Sequence, residues 1–473
     1  MRNADKAQWT TVDILEATDG DLMCGDAQRA FSGISIDSRT ISREDLFVAI
    51  KGDVHDGHSF VGSVVASGIR GLVLDRGKTQ SLPKEKFKSK GVVCVTVENT
   101  IKALGDLAAF RRKRSNVTVV AITGSNGKTT TRKMTALVIA RRFSTLATSG
   151  NFNNEIGLPL TLLKLDNTHE RAVLELGTNR PGEIRRLAEI CLPAIGVITN
   201  IGPAHLEGLG SIEGVLRAKA ELLEKMSPDG TAVLNADDAR LLKLARETSL
   251  PVLLYGLSEI AEIRARDVKE KGPGISFTLM LPSGHIGIDL NAPARFMVSN
   301  ALAAAAVGHL LGLSAREIKD GLENFKTDRG RMNIFTTVNG VNIIDDTYNA
   351  NPGSMSAALT TLKSLKGDHR GVFVAGDMLE LGKHAESMHR EIGALAAKSN
   401  LTRIYVTGAF ADFVEAGARN GNMEGREIVR GTKEEILDDL TDWIQPGDWI
   451  LIKGSRGMRM ENIVEGLKAW AEK

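Results

Sequence analysis

Paired cysteines are missing from this chain. Its three, Cys24, Cys94 and Cys191, stand far apart. That argues against a disulfide framework or a zinc site and suits a reducing compartment. A surplus of charge is missing too. The formal net charge is +2, so no extended nucleic-acid surface is expected. No apolar run approaches the ~18 residues of a membrane span, and the first residues lack the basic-then-apolar pattern of an export signal. Internal repeats and low-complexity tracts are absent. The expectation is a soluble, cytoplasmic protein with no nucleic-acid partner and no membrane span, acting as a monomer. What is present is apolar content, 42% of 473 residues, sufficient for packed interiors in two to four domains.

Three regions emerge, with expected bounds 1–115, 116–328 and 329–473. The first has short strand-like runs at 46–50, 71–74 and 92–97 and ends in a helical stretch with a basic cluster, Arg111 to Arg114, read as a solvated helix end. The second alternates apolar strands (117–122, 172–176, 195–199, 231–234) with amphipathic helices, which argues for a parallel sheet covered on both faces. The third repeats the pattern on a smaller scale, with strands at 371–375, 403–407 and 449–452, and reads as a Rossmann-like domain. The fold class is therefore α/β, in three domains. The polar junction KTDRGR, 326–331, could serve as a hinge.

AITGSNGKTTT, 121–131, is the most informative segment. It stands between an apolar strand and a helix start, where backbone N–H groups and the positive helix end can hold phosphate oxygens. Gly124, Ser125, Asn126, Gly127, Lys128, Thr129 and Thr130 form the candidate ATP-binding loop. Lys128 would reach the terminal phosphates, and the Thr129 hydroxyl would face a magnesium ion. Ile122 stands where the common G-x-x-x-x-G-K-[ST] loop has its first glycine. The loop is shorter, which argues against a standard kinase or GTPase and for another ATP-using family.

Other candidates sit at strand exits, where open α/β sheets bind ligands. Glu175 could hold magnesium, or be a solvated strand-terminal acid. His205, in TNIGPAHLEGLGS, could contact metal or phosphate, or be an ordinary surface histidine. Lys219, on an amphipathic helix, could be an exposed lysine. A desolvated lysine could instead lose its proton and combine with carbon dioxide to give a metal-binding carbamate. The amides Asn151, Asn153 and Asn154 fit a sugar or peptide, or an Asn-rich turn. DDTYNANP, 345–352, suits ribose hydroxyls or an amine. Lys453 and Arg456 could clamp a carboxylate, or form a solvated basic turn.

Taken together, SIDSRTISREDLFVAIKGDVHDGHSF, TGSNGKTTT, SGNFNNEIGLPLTLL, LELGTNRPGEI, TNIGPAHLEGLGS, RAKAELL, DDTYNANPGSM, AGDMLELG and KGSRGMRME resemble the Mur ligase family of cell-wall precursor enzymes, over nearly the full chain. The amide cluster and DDTYNANP resemble the member that joins D-Ala-D-Ala to UDP-N-acetylmuramoyl-tripeptide with ATP and Mg2+. The resemblance implies that Ser38 and Arg39 bind the uridine end. It implies that Thr129 and Glu175 hold one magnesium, with His205 at a second, and that Lys219 is the carbamylated lysine. Asn300, Arg331 and Asp346 would contact nucleotide; Asn349, Asn351, Ser455 and Arg456 would position the dipeptide. Phe296 and Met297 stand where the family usually shows His-Asn, a departure at the adenine side. Rival readings are a ligase adding glutamate to folates or another amino acid to a UDP-linked peptide, a phosphotransferase, and a non-catalytic nucleotide-binding regulator.

Overall fold

Strands buried on both faces read as continuous apolar, β-branched runs, and the second region is built on several. In the computed structural model, which describes residues 9–52, 54–80 and 82–472, Thr118–Thr123 lies between Arg171–Glu175 and Ile195–Ile198, all parallel. Residues 1–8, Asp53 and Ser81 of the first expected region, and Lys473 of the third, lie outside those described. Thr145–Ala147 adds beyond Arg171–Glu175; Thr231–Asn235 and Val252–Gly256 add on the other side. Ile263–Lys271, Gly274–Leu281 and Gly284–Leu290 then extend the sheet to nine strands, the last two antiparallel. The parallel sheet expected here is therefore mixed. Two-residue turns cause it: Gly272–Pro273 and Pro282–Ser283 reverse the chain, and Gly272 takes a φ of +59°.

The third region forms a six-stranded sheet in the order Asn333–Thr336, Asn342–Asp346, Trp449–Lys453, Gly371–Ala375, Arg403–Val406, Ile428–Arg430. Only the first strand is antiparallel. The first region has a five-stranded sheet, parallel except for Asp21–Cys24. There Cys24 faces Cys94 across the antiparallel pair, both as buried free thiols. Sequence separation had concealed that pairing. Among the described residues, no helix is long and apolar enough to cross a membrane.

The helix Thr100–Lys113, capped by the Asn99 carboxamide, joins two cores. Its Leu104 and Leu107 pack in the first region's core, and Ala108 packs in the central one. The basic cluster at its end is not simply solvated. Arg111 and Arg112 are half-buried, donating to the carbonyls of Leu165 and Ile190, and Arg114 pairs with Asp13 at 2.5 Å. Long arginine stems can bury while their tips bond outward. The junction 326–331 is tied rather than loose. Gly330 N–H donates to Asp345 at 2.9 Å, and Lys133 pairs with Asp328. The apolar cluster on one face of the central sheet runs on without a break into the third region's sheet.

Candidate active site

The strand Thr118–Thr123 delivers the chain to a loop whose tightness demands glycine. Gly124 has φ +145°, and a Cβ there would lie 1.9 Å from Thr199 Oγ1; Gly127 has φ +80°, and its Cβ would lie 2.4 Å from Asn300 Oδ1. The residues TNIG after Ile195–Ile198 fasten this loop. Ser125 N–H donates to Asn200 O (2.9 Å), Asn126 N–H to Asn200 Oδ1 (3.0 Å), and Thr199 Oγ1 to Asn126 O (2.6 Å). The loop is thus set before any phosphate arrives, and Lys128–Ile139 starts directly from it. Gly124→Ala should weaken ADP binding about ten- to hundredfold, the equivalent of 1–3 kcal/mol of backbone strain. Calorimetry would test this; unchanged affinity would remove the loop from the nucleotide site.

A cleft of about 790 Å³ opens over the loop. Of the expected residues, Ser125 to Thr130, Asn151, Asn153, Asn154, Glu175, His205, Asn300, Arg331, Asp346, Asn349, Asn351, Ser455 and Arg456 all line it. Gly124, Lys219, Ser38 and Arg39 do not. Lys128 Nζ donates to Gly124 O at 2.8 Å, and burial pulls its pKa down against the opposing pull of Glu175. Lys219 is 1% exposed, with no hydrogen bond or ion pair among the described residues. Burial, reinforced by the Lys128 charge, lowers its pKa well below the ordinary lysine value. The exposed-lysine alternative is overturned. Ser38 is half-buried on the first region's sheet edge. Arg39 is exposed, and its guanidinium holds the Asp37 carboxyl down at about 2.

Glu175 accepts from Asn153 Nδ2 at 2.9 Å through Oε1. Its Oε2 is buried without a hydrogen bond; Arg132 Nε stands 3.4 Å away, close enough to pair but misaligned. An orphaned carboxylate oxygen in the same cleft as the Thr129 hydroxyl fits a hard cation. Among the described residues no three His, Cys, Asp or Glu side chains cluster as a metal site, so such a cation would draw further ligands from phosphate and water. Asn300 Nδ2 is likewise buried and unpaired. Asn154 is a turn residue, its Oδ1 accepting from the Ile156 and Gly157 N–H groups at the start of the helix Gly157–Leu162.

The third region contributes residues already committed to each other. Lys453 Nζ donates to Asp346 Oδ2 at 2.6 Å and to Asn349 O at 2.8 Å, with the lysine side chain 2% exposed. Neither a clamp nor a solvated turn describes it. Ser455 Oγ accepts from Leu379 N–H and donates to Ala350 O. Asn351 Oδ1 caps the helix Pro352–Lys366, while its Nδ2 reaches the phosphate loop and donates to Asn126 Oδ1 at 2.7 Å. His205 Nδ1 donates to Glu380 Oε2 at 2.5 Å, which holds the Glu380 carboxyl below its usual range. Both residues have positive φ (55° and 62°), a conformation a domain contact must sustain. Asn351→Asp should keep the cap and the stability, yet lose the donor to Asn126 and with it activity; Asn351→Ala should also cost about 1 kcal/mol in urea unfolding. Equal activity of wild type and Asn351→Asp would deny the contact any role.

Sequence reasoning passed over Thr199, Asn200, Arg132, Tyr348 and Glu380. Only their tertiary partners distinguish them. Phe296 lines the cleft, 39% exposed, while Met297 is buried. Apolar surface therefore lines this part of the cleft.

A glycine loop set against a central sheet, and a cleft closed by a second Rossmann-like sheet, define a three-domain α/β enzyme of the nucleotide-using type. The chain belongs to the Mur ligase family. Family models match at residues 30–112 (Mur ligase family, catalytic domain), 122–308 (Mur ligase middle domain) and 330–456 (Mur ligase, glutamate ligase domain). It is 34% identical to the UDP-N-acetylmuramoyl-tripeptide--D-alanyl-D-alanine ligase of Bacillus subtilis, over 93% of this chain and 94% of that one. The enzyme of the same name from Escherichia coli is also 34% identical, over 95% and 97%. Among solved structures, MurF from Acinetobacter baumannii superposes with a TM-score of 0.89 at 33% identity, covering 99% of each chain. The MurF ligase of Thermotoga maritima in complex with ADP gives 0.82 at 28% identity, covering 93% and 98%.

Proposed function

We infer that this chain is an ATP-dependent ligase that joins D-Ala-D-Ala to UDP-N-acetylmuramoyl-tripeptide, releasing ADP and phosphate, in peptidoglycan precursor synthesis. The observation that carries the reading is the cleft itself. A preset phosphate loop and an orphaned carboxylate oxygen on the central domain face hydrogen-bonded loops of the third. The relatives of that name are similar over nearly their whole length.

A carboxylate is a poor acyl donor, because its leaving group would be oxide. Attack of the tripeptide carboxylate on the γ-phosphate of ATP gives an acyl phosphate and ADP. The dipeptide amine then attacks that carbonyl and expels phosphate. Two anions must meet, so the protein's work is charge neutralisation and alignment. Lys128 and the loop N–H groups receive phosphate charge. Asn300, Arg331 and Asp346, which line the cleft, would contact the nucleotide. Bound through Thr129 and Glu175, Mg2+ would supply further charge neutralisation; a second ion would draw on Lys219 as carbamate and on His205 through Nε2. Ser38 and Arg39 would take the uridine end, and Asn151 and Asn153 the sugar-peptide. Asn349 and Arg456 would meet the dipeptide, with Asn351 and Ser455 shaping its seat. Domain limits near 115 and 328 follow the sheets, whose strands each come from one region. The protein would act as a monomer, and buried free thiols suit the cytoplasm.

The test is phosphate release with UDP-linked tripeptides ending in diaminopimelate or lysine, with and without D-Ala-D-Ala. Release should require both substrates, and oxygen-18 placed in the tripeptide carboxyl should appear in phosphate. Release without an amine acceptor would sink the reading.

A further inference from the structure

A second cavity, of about 610 Å³, adjoins the nucleotide cleft and shares Thr129, Asn151, Arg331, Tyr348 and Arg456 with it. Five cationic side chains line it, against one acid, Asp328. Four of the five have an acid partner: Lys133 has Asp328, Arg329 has Glu465, Arg456 has Glu461 at 3.3 Å, and Arg132 Nε has Glu175 Oε2 at a misaligned 3.4 Å. Arg331 makes no ion pair among the described residues; its guanidinium lies 3.8 Å from the Tyr348 ring centroid. Arg132 is 9% exposed. It donates from Nη1 to the Thr148 carbonyl, but its Nε is buried without a hydrogen bond. Burial depresses the Arg132 pKa, opposed by the Glu175 and Asp328 charges and aided to a smaller degree by Arg331.

Arg331 has no acid partner, and Arg132 keeps a buried Nε whose contact with Glu175 is not a hydrogen bond, so both guanidiniums have unused donors that a ligand could take. The planar fork of arginine matches a carboxylate. The phosphate loop does not compete for this space, since Thr129 alone of its residues lines the cavity. We propose that this cavity seats a non-reacting carboxylate of the peptide substrates, gripped by Arg132, with Arg331 on the wall shared with the nucleotide cleft as a second, shared contact. The inference rests on the ligase reading above. Two sources carry that chemistry: the C-terminal carboxylate of the dipeptide, and the free carboxyl of a glutamyl unit such as the one named in a similar ligase from A. baumannii.

Steady-state kinetics with Arg132→Met separate them. If the dipeptide is the source, its C-terminal amide should raise the wild-type KM about ten- to hundredfold, the usual worth of a charged hydrogen bond. That acid–amide difference should collapse in the variant while kcat changes less. If the tripeptide is the source, acid and amide dipeptides behave alike, and the variant raises the KM for the tripeptide alone by a similar factor. Should Arg132→Met fail to fold, Arg132→Lys keeps the charge without the fork and should show the same pattern, reduced. Wild-type turnover blind to the amide, together with variants whose two KM values are unchanged, overturns the subsite and leaves the ligase reading standing. Absence of wild-type turnover with any substrate pair sinks both.

Discussion

Lys128→Ala should lower turnover on the order of 10²-fold or more, the cost of losing one preorganised charge at a reacting centre. The ammonium is held by the Gly124 and Ser125 carbonyls in a buried pocket. Its lowered pKa sets the sign of the pH effect: the charge is lost at a lower pH than for an ordinary lysine at ~10.4. The alkaline limb of the rate profile should therefore fall below that value. Phosphate release in the two-substrate assay measures both effects. A variant that folds, binds ADP and turns over near the wild-type rate would show that the loop lysine carries no charge of consequence.

Lys219→Ala should be nearly inactive, for a different reason. An amine that is buried, unpaired and repelled by Lys128 is pushed toward its neutral form. A neutral amine can attack carbon dioxide: the N–C bond forms, one C–O π pair becomes a carboxylate, and the amine gives up its proton. Wild-type activity should fall in carbon-dioxide-depleted buffer and return with bicarbonate, and a small carboxylic acid should partly rescue the alanine variant. Full activity of that variant, or no carbon dioxide adduct by mass, removes the carbamate. The uncarbamylated amine also makes a stability prediction. Between its lowered pKa and ~10.4 the unfolded chain binds a proton the folded chain excludes, so its contribution to stability rises with pH across that window. Lys219→Met should abolish that slope in urea unfolding relative to wild type. The two lysines are coupled, so Lys128→Ala should ease the depression of Lys219.

Much of this was legible in the chain because its chemistry is local. Strand, glycines, Lys128 and helix are contiguous, and Glu175 closes a strand next to that loop. The expected strands of the third region match within a residue; Gly371–Ala375 stands as expected, and Trp449–Lys453 runs one residue longer. The antiparallel meander was missed because its first strand is polar. Ile263–Lys271 carries six charged residues, and its apolar face exists only once the helix Phe296–Leu310 packs over it.

The sequence by itself determined the phosphate loop, the three α/β regions and the family, since each depends on neighbours within a few residues or on motif order. Only the tertiary structure decided which groups are free. It removed Lys453 from the substrate and gave it to Asp346. It bridged Asn351 to Asn126 at the edge of the cleft, and it buried Lys219. It also left Arg132 Nε and Glu175 Oε2 without hydrogen bonds. Burial and pairing depend on segments distant in sequence, and in a low-dielectric interior they decide whether a charge is spent or available.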